Sequence, residues 1–196
     1  GVDISIQATT KYQAGHADLI LGHIIAKTEN DWRKIKITTS TLGQAISPDA
    51  AYLALRGLRT LSVRLEQHQE SALTLAHWLE TRGEVDTILH PAFASCPGHE
   101  IWQRDFTGSS GLFSIVLKDF SEGQENAMLD GMDYFAMGFS WGGFESLMVA
   151  SDPHKIRSAT TWEARGPLLR LHAGQEDVED LIADLERGFD RLNGKA

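Results

Sequence analysis

The chain has 196 residues, of which 42% are hydrophobic and 23% are charged, a composition that is typical of globular proteins and argues against disorder. The formal net charge of −9 disfavours a nucleic-acid backbone or an anionic membrane surface as a general partner. The single cysteine, Cys96, cannot form an internal disulfide and therefore favours a reducing compartment.

The beginning of the chain predicts two strands and a helix. Apolar and polar residues alternate over positions 2–7, and a second apolar run covers 19–25, so both segments are predicted strands. A polar helix is predicted from Asp31. Because the first residue is Gly1 rather than Met and the first strand begins abruptly, we expect this chain to be part of a longer protein.

A long helical pattern follows Ser47. Ser47 and Pro48 suit the N-cap and the first helical position, and apolar residues at helical spacing continue to about Arg82. Such a pattern, more than roughly 30 residues, is long for one globular helix, so we expect a break near Gly57. We place a domain boundary at this break, which gives domains 1–57 and 58–196.

The remaining pattern alternates short strands and helices. Strands are predicted at 85–90, 112–117, 134–139 and 168–172, and helices at 99–106, 122–132 and 176–192. This order predicts an α/β fold class for the N-terminal part of the chain and an α+β fold class for the C-terminal part.

A glycine-rich turn contains one possible catalytic motif. Residues 138–142 match the G-x-S-x-G nucleophile elbow of α/β-hydrolases, and Asp152 and His172 follow in the order Ser, Asp, His. A hydrolase also needs several parallel strands before the elbow, and the pattern predicts few. We therefore disfavour a hydrolase.

The histidines do not indicate a metal site. His16, His90, His99 and His172 are far apart in sequence, and none has a second histidine at i, i+4 spacing with an adjacent acid, the pattern that marks a zinc-binding helix. Asp18 lies two residues after His16, which is a common arrangement. We expect structural roles for these histidines and no bound metal.

Two cationic residues have both a structural and a functional interpretation. Lys11 follows the first predicted strand and is either a solvated charge or an amine placed to form a Schiff base with a carbonyl cofactor. Arg170 lies between leucines in a predicted strand, where a guanidinium is costly to bury unless it meets a carboxylate. That carboxylate belongs either to an acid at 176–180 or to a substrate, and the spacing leaves both possibilities open.

Four ordered motifs bear on these alternatives. They are Thr10-Lys11-Tyr12-x-x-Gly15-His16-x-Asp18, Leu55-Arg56-Gly57-Leu58-Arg59, Ser140-Trp141-Gly142-Gly143-x-Glu145-Ser146-Leu147 and Leu169-Arg170-Leu171-His172-x-Gly174-x-Glu176. Together they strongly resemble the Cys/Met-metabolism family of pyridoxal-phosphate enzymes, of fold type I, over essentially the whole chain. Within this family the Ser-Trp-Gly-Gly turn and residues 98–111 resemble the members that cleave a Cβ–S bond by β-elimination. The γ-acting relatives are the alternative.

The resemblance implies a role for each matched residue. Lys11 matches the lysine that holds pyridoxal 5'-phosphate covalently and moves the Cα proton, and Thr10 matches a hydroxyl that binds the cofactor phosphate. Arg170 matches the clamp on the substrate α-carboxylate. Ser140 and Trp141 match the wall of the substrate site.

Two positions and one segment depart from the family pattern. Ala8 replaces a second phosphate-binding serine, and Phe139 replaces a tyrosine of some relatives. About half of a family subunit precedes the lysine, so residues 1–57 correspond to the end of the large cofactor-binding domain and 58–196 to the smaller C-terminal domain. The resemblance implies a cytoplasmic homo-oligomer, a tetramer built from dimers, that acts on an amino acid in methionine biosynthesis. The alternative is that this chain alone is catalytically silent.

Overall fold

A computed structural model describes residues 1–164 and 166–195. The chain forms two compact units, Gly1–Ser62 and Val63–Ala196. The expected break in the long helical pattern is confirmed, because one helix ends at Leu58 and the next begins at Leu61. The domain boundary at Gly57 remains a prediction.

The first unit contains a two-stranded hairpin and two helices. Strand β1 (Ile4–Ala8) pairs antiparallel with β2 (Gly22–Ala26), and the helices are α1 (Glu29–Thr41) and α2 (Pro48–Leu58). The predicted cap is confirmed: the Ser47 side chain accepts a hydrogen bond from the backbone N–H of Ala50.

The second unit is built on a four-stranded antiparallel sheet in the spatial order β3-β4-β6-β5. The strands are β3 (Val85–Leu89), β4 (Leu112–Leu117), β5 (Leu147–Ser151) and β6 (Leu168–His172). The helices in this part of the chain are α3 (Leu61–Glu80), α4 (His99–Asp105), α5 (Glu122–Leu129), α6 (Pro153–Ile156) and α7 (Val178–Leu192). The strands predicted at 112–117 and 168–172 are confirmed.

The core of the second unit is one cluster of apolar side chains from α3, α7 and the sheet. Burial of this area supplies the main stabilisation of the unit. Its fully buried members include Leu75, Leu79, Ile115, Leu171, Leu185 and Phe189. Because β6 lies between β4 and β5, residues along this strand are held from both sides.

The predicted strand at 134–139 is wrong. In this segment Ala136 forms only an isolated bridge with Leu147, and the strand that the sequence pattern missed is β5. The cause is the buried carboxylate of Asp184, which accepts hydrogen bonds from the backbone N–H groups of Asp133, Tyr134 and Phe135 at 2.8–3.2 Å. Backbone donors bound to one carboxylate are not free to join a sheet ladder.

Replacing Asp184 by Asn is expected to lower the free energy of unfolding by about 2–3 kcal/mol, since an amide nitrogen would then face buried backbone donors. Asp190→Asn is the matched control, because Asp190 is exposed on the same helix. Urea denaturation followed by circular dichroism measures both variants. Equal unfolding free energies in the two variants would contradict this role for Asp184.

Candidate active site

Lys11 lies on a tight turn directly after β1. The turn is closed by backbone hydrogen bonds from Lys11 N–H to the Ala8 carbonyl (3.1 Å), from Ala14 N–H to Thr9 (2.9 Å) and from Gly15 N–H to Lys11 (2.9 Å). The lysine is half-buried. A primary amine on a fixed backbone is the group that condenses with an aldehyde cofactor, so this donor fits pyridoxal phosphate.

Helix α2 packs directly on the same turn. A Cβ atom at Gly57 would overlap the carbonyl oxygens of Gln13 and Ala14, and both Ala14 and Gly57 are buried. Only glycine permits this approach of helix to backbone. The position of the Lys11 turn therefore depends on a missing side chain in α2.

The threonine hydroxyls next to Lys11 are hydrogen-bonded within the first unit. Thr10 Oγ1 donates to the Leu21 carbonyl (3.1 Å) and accepts from the Leu21 N–H (2.9 Å), and Thr9 Oγ1 lies 2.6 Å from Nδ1 of His23. A hydroxyl has one proton to donate. Thr10 can therefore donate to a phosphate only by releasing Leu21, and its predicted phosphate contact remains a prediction.

Arg170 lies in the middle of β6, opposite Ser114 on β4 and Val149 on β5. Its Nη2 donates to the carbonyl oxygens of Phe139 (2.9 Å), Gly138 (3.3 Å) and Ser140 (3.5 Å). The guanidinium carbon lies 5.4 Å from the centre of the Trp141 ring, which is cation–π geometry. The structure thus brings together Arg170, Ser140 and Trp141, and their role in substrate binding remains a prediction.

Within residues 1–164 and 166–195, Arg170 forms no ion pair. In the 176–180 segment, Glu176 is the acid closest to Arg170 in sequence. Its carboxylate accepts hydrogen bonds from the backbone N–H and the hydroxyl of Ser146 at 2.7 and 2.8 Å. All described hydrogen bonds of Arg170 use Nη2. Its Nε and Nη1 donors therefore suit a carboxylate supplied by a ligand.

The turn that carries Ser140 and Trp141 is held by residues at and after the end of β6. Gly142 N–H donates to Nε2 of His172 (3.0 Å), and Gln175 N–H donates to the Phe144 carbonyl (2.8 Å). Sequence analysis assigned His172 no role at this turn. The alternation of β6 is the signal that could have found it, because Arg170 and His172 lie on the same face of the strand.

Two buried histidines lie next to each other behind this turn, with their rings tilted by 38°. His68 on α3 and His172 have ring centres 5.1 Å apart, and Nδ1 of His68 lies 2.7 Å from the Ala173 carbonyl. Burial lowers the pKa of His172 to about 4, and the neighbouring charges of His68 and Arg170 act in the same direction, whereas a hydrogen bond to Gly143 opposes them. Burial also lowers the pKa of His68. The pair is therefore neutral at pH 7.

The protein is expected to lose stability between pH 6.5 and about 4. In this window an unfolded chain protonates His172 while the folded protein does not, so stability is fully present above pH 6.5 and falls on acidification. A pKa that drops from 6.5 to about 4 corresponds to a loss of about 3 kcal/mol. Urea denaturation at pH 7.5 and pH 4 measures the loss, and His172→Gln should make it smaller, while burial of His68 and His90, which lowers their pKa values, contributes in the same direction. An unchanged pH dependence in that variant would contradict the assignment.

The described ranges contain no group of three or more His, Cys, Asp or Glu side chains that could hold a metal ion. No helix in this part of the chain is long and apolar enough to cross a membrane.

Comparison with known proteins identifies the family. The model of the family described as "Cys/Met metabolism PLP-dependent enzyme" matches residues 1–190. The chain belongs to this family. Its cofactor is pyridoxal phosphate, and the predicted fold class is confirmed by the structural match given below.

The similar proteins include lyases, a synthase and a racemase. Cystathionine beta-lyase MetC of Escherichia coli (strain K12) is 47% identical over 196 residues, which cover 98% of this chain and 49% of that protein. The L-alanine/L-glutamate racemase of Wolbachia pipientis wMel is 41% identical over 194 residues, covering 98% of this chain and 48% of the racemase. A similar solved structure is the crystal structure of cystathionine gamma synthase from Xanthomonas oryzae pv. oryzae in complex with aminoacrylate and cysteine. The match covers 100% of this chain and 52% of the synthase chain, with a TM-score of 0.88 and 36% sequence identity. The chain spans about half the length of the relatives it matches.

Proposed function

We propose that the protein containing this chain is a carbon–sulfur lyase that cleaves L-cystathionine by β-elimination to homocysteine, pyruvate and ammonia. The observation that carries the proposal is Arg170, a half-buried guanidinium without an ion-pair partner in the described ranges. Such a group fits the α-carboxylate of an amino-acid substrate. The similarity to the E. coli β-lyase supports the choice of reaction.

Lys11 is proposed to hold the cofactor and to move the substrate proton. Pyridoxal phosphate, when bound, stabilises negative charge at the Cα atom of an amino acid. Lys11 Nζ would bind the carbonyl carbon of the cofactor covalently. After the amine of the substrate has replaced Lys11 at that carbon, Nζ would accept the Cα proton of the substrate. Positioned proton transfer of this kind is typically worth about 10²–10⁴-fold in rate.

Arg170 and the turn before β5 are proposed to orient the substrate. The guanidinium would bind the α-carboxylate, while its Nη2 contacts with the carbonyls of 138–140 keep it in place. Trp141 covers one side of the guanidinium, which reduces competition from water for the carboxylate. Ser140 forms part of the wall of the same pocket.

The phosphate of the cofactor needs donors beyond those of the first unit. The Thr10 hydroxyl donates its proton to the Leu21 carbonyl. We therefore place most of the phosphate contacts in the part of the protein that this chain does not include. The whole protein is proposed to be a cytoplasmic homo-oligomer, a tetramer built from dimers, that serves methionine biosynthesis. The reducing compartment is supported by the single, half-buried cysteine.

The test is product analysis with the full-length protein, pyridoxal phosphate and L-cystathionine. Cleavage of the Cβ–S bond releases pyruvate, cleavage of the Cγ–S bond releases 2-oxobutyrate, and racemisation of L-alanine gives D-alanine. Pyruvate as the main product supports the proposal, and either of the other products in its place overturns it. The same assay on the 196-residue chain alone tests whether that chain is catalytically silent.

A further inference from the structure

The His172 side chain lies where three segments meet. Its Nε2 is 3.0 Å from the Gly142 nitrogen and 3.2 Å from the Gly143 oxygen. On its other side, a Cβ atom added at Gly111 would lie 2.9 Å from Nδ1. His172 is 1% exposed, so it is enclosed by protein rather than open to solvent.

Each neutral form of the His172 ring satisfies only one of the two contacts of Nε2. If Nε2 carried the proton, the N–H of buried Gly142 would face another donor and would have no acceptor there, which is unfavourable. If Nε2 has a free lone pair, it accepts the Gly142 N–H and the proton resides on Nδ1, facing Gly111. In that form the Gly143 oxygen also faces the lone pair, whereas an Nε2–H group would donate to that oxygen, so Nε2 binds the backbone of the turn in either form.

His172 and Arg170 hold the same turn at two points. Both side chains project from one face of β6: Arg170 binds the carbonyls of 138–140 and His172 binds Gly142. Trp141 lies between these two contacts in the chain, and its ring covers the guanidinium. The backbone on either side of Trp141 is thus fixed by β6.

We propose that His172 is a positioning residue for substrate binding, which fixes the backbone of residues 141–143 and thereby the Trp141 ring and Arg170. This role rests on the proposed function, in which Arg170 binds the substrate carboxylate. His172 does not touch the substrate. Its effect is on how well the pocket is formed before an amino acid arrives.

The first experiment compares His172→Phe with His172→Gln in the full-length protein. Phenylalanine fills the space but has no acceptor for Gly142, whereas glutamine can place an oxygen near the position of Nε2. We expect His172→Phe to raise KM for L-cystathionine about tenfold with a smaller change in kcat, and His172→Gln to stay within about threefold of the unsubstituted protein. An unchanged KM in His172→Phe, or equal effects of the two substitutions, would overturn the proposal.

The control is His90→Phe. His90 is also fully buried, and its Nδ1 accepts a backbone N–H, that of Ala92, at 3.2 Å. It follows β3, at the opposite edge of the sheet from β5. Both phenylalanine variants lose a buried acceptor, so a fall in stability is expected in both, but only His172→Phe should change KM. An equal rise in KM in both variants would show a general effect of instability and would overturn the positioning role.

A further measurement does not depend on activity. Hydrogen exchange should become faster in peptides covering 140–146 in His172→Phe, or in His172→Asn if the first variant does not fold. Unchanged exchange overturns the inference. Absence of pyruvate from the unsubstituted protein would instead refute the proposed function, so the two failures are distinguishable.

Discussion

Lys11→Ala is expected to abolish the visible absorbance of the bound cofactor and to reduce pyruvate release by at least about 10²–10⁴-fold, because it removes both the covalent anchor and the proton-transfer group. The turn itself should persist, since its hydrogen bonds are between backbone atoms of residues 8–15. The experiment uses the full-length protein, with absorbance spectra after dialysis against pyridoxal phosphate and a pyruvate assay.

Lys27→Ala is the control for the loss of a positive charge in the same unit. Lys27 is exposed, and its Nζ lies 3.6 Å from Oδ1 of Asp3. An exposed ion pair of this kind contributes little to the free energy of unfolding. Its variant should retain both absorbance and turnover. A Lys11→Ala protein that keeps the visible band would show that another residue anchors the cofactor.

Arg170→Met is expected to lower kcat/KM for L-cystathionine by about 10²–10³-fold, since the substrate carboxylate would lose the half-buried guanidinium that pairs with it. Arg170→Lys should fall between this variant and the unsubstituted protein. Lysine keeps the charge but lacks the planar fork that binds a carboxylate with two parallel hydrogen bonds. Steady-state kinetics over a range of substrate concentrations separate the effect on KM from that on kcat.

Arg157→Met is the control for this substitution. Arg157 also lies over a tryptophan ring, with its guanidinium carbon 5.1 Å from the centre of Trp162, but it is exposed. Its replacement should leave kcat/KM unchanged. Equal losses in the two variants would indicate a structural origin and would contradict the role of Arg170 as a carboxylate clamp.

Local signals in the sequence predict much of the fold. The strands at 112–117 and 168–172 are short apolar runs bounded by turn residues, and the Ser47-Pro48 helix start depends on hydrogen bonds within one turn. Such features are encoded by neighbouring residues. The pattern therefore locates them without knowledge of the tertiary structure.

Features that depend on distant residues were not predictable in this way. The segment at 134–139 has an apolar, strand-like composition, but the buried carboxylate of Asp184, about 50 residues later in the chain, binds its first backbone donors. The contact of His172 with Gly142 likewise joins positions 30 residues apart. Local propensity carries no information about such partners, and tertiary contacts override it.

The candidate site required a comparison of motifs as well. Spacing alone left Lys11 and Arg170 each with two interpretations, and resemblance to a family selected the functional one. For Arg170 the structure shows that Nη2 binds backbone carbonyls and that no acid of the described ranges pairs with the guanidinium, and its role as a carboxylate clamp is a prediction. For Lys11 the structure shows a fixed, half-buried amine, and its role is still a prediction.

The contact of Gly57 with the Lys11 turn has a consequence for natural variation. Every other amino acid at this position would place a carbon atom against the carbonyls of Gln13 and Ala14. Such an allele would change no reactive group and would retain the core of the second unit, yet it would displace the amine. A missense screen for loss of function should therefore recover Gly57 as an intolerant position, although glycine has no reactive side chain of its own.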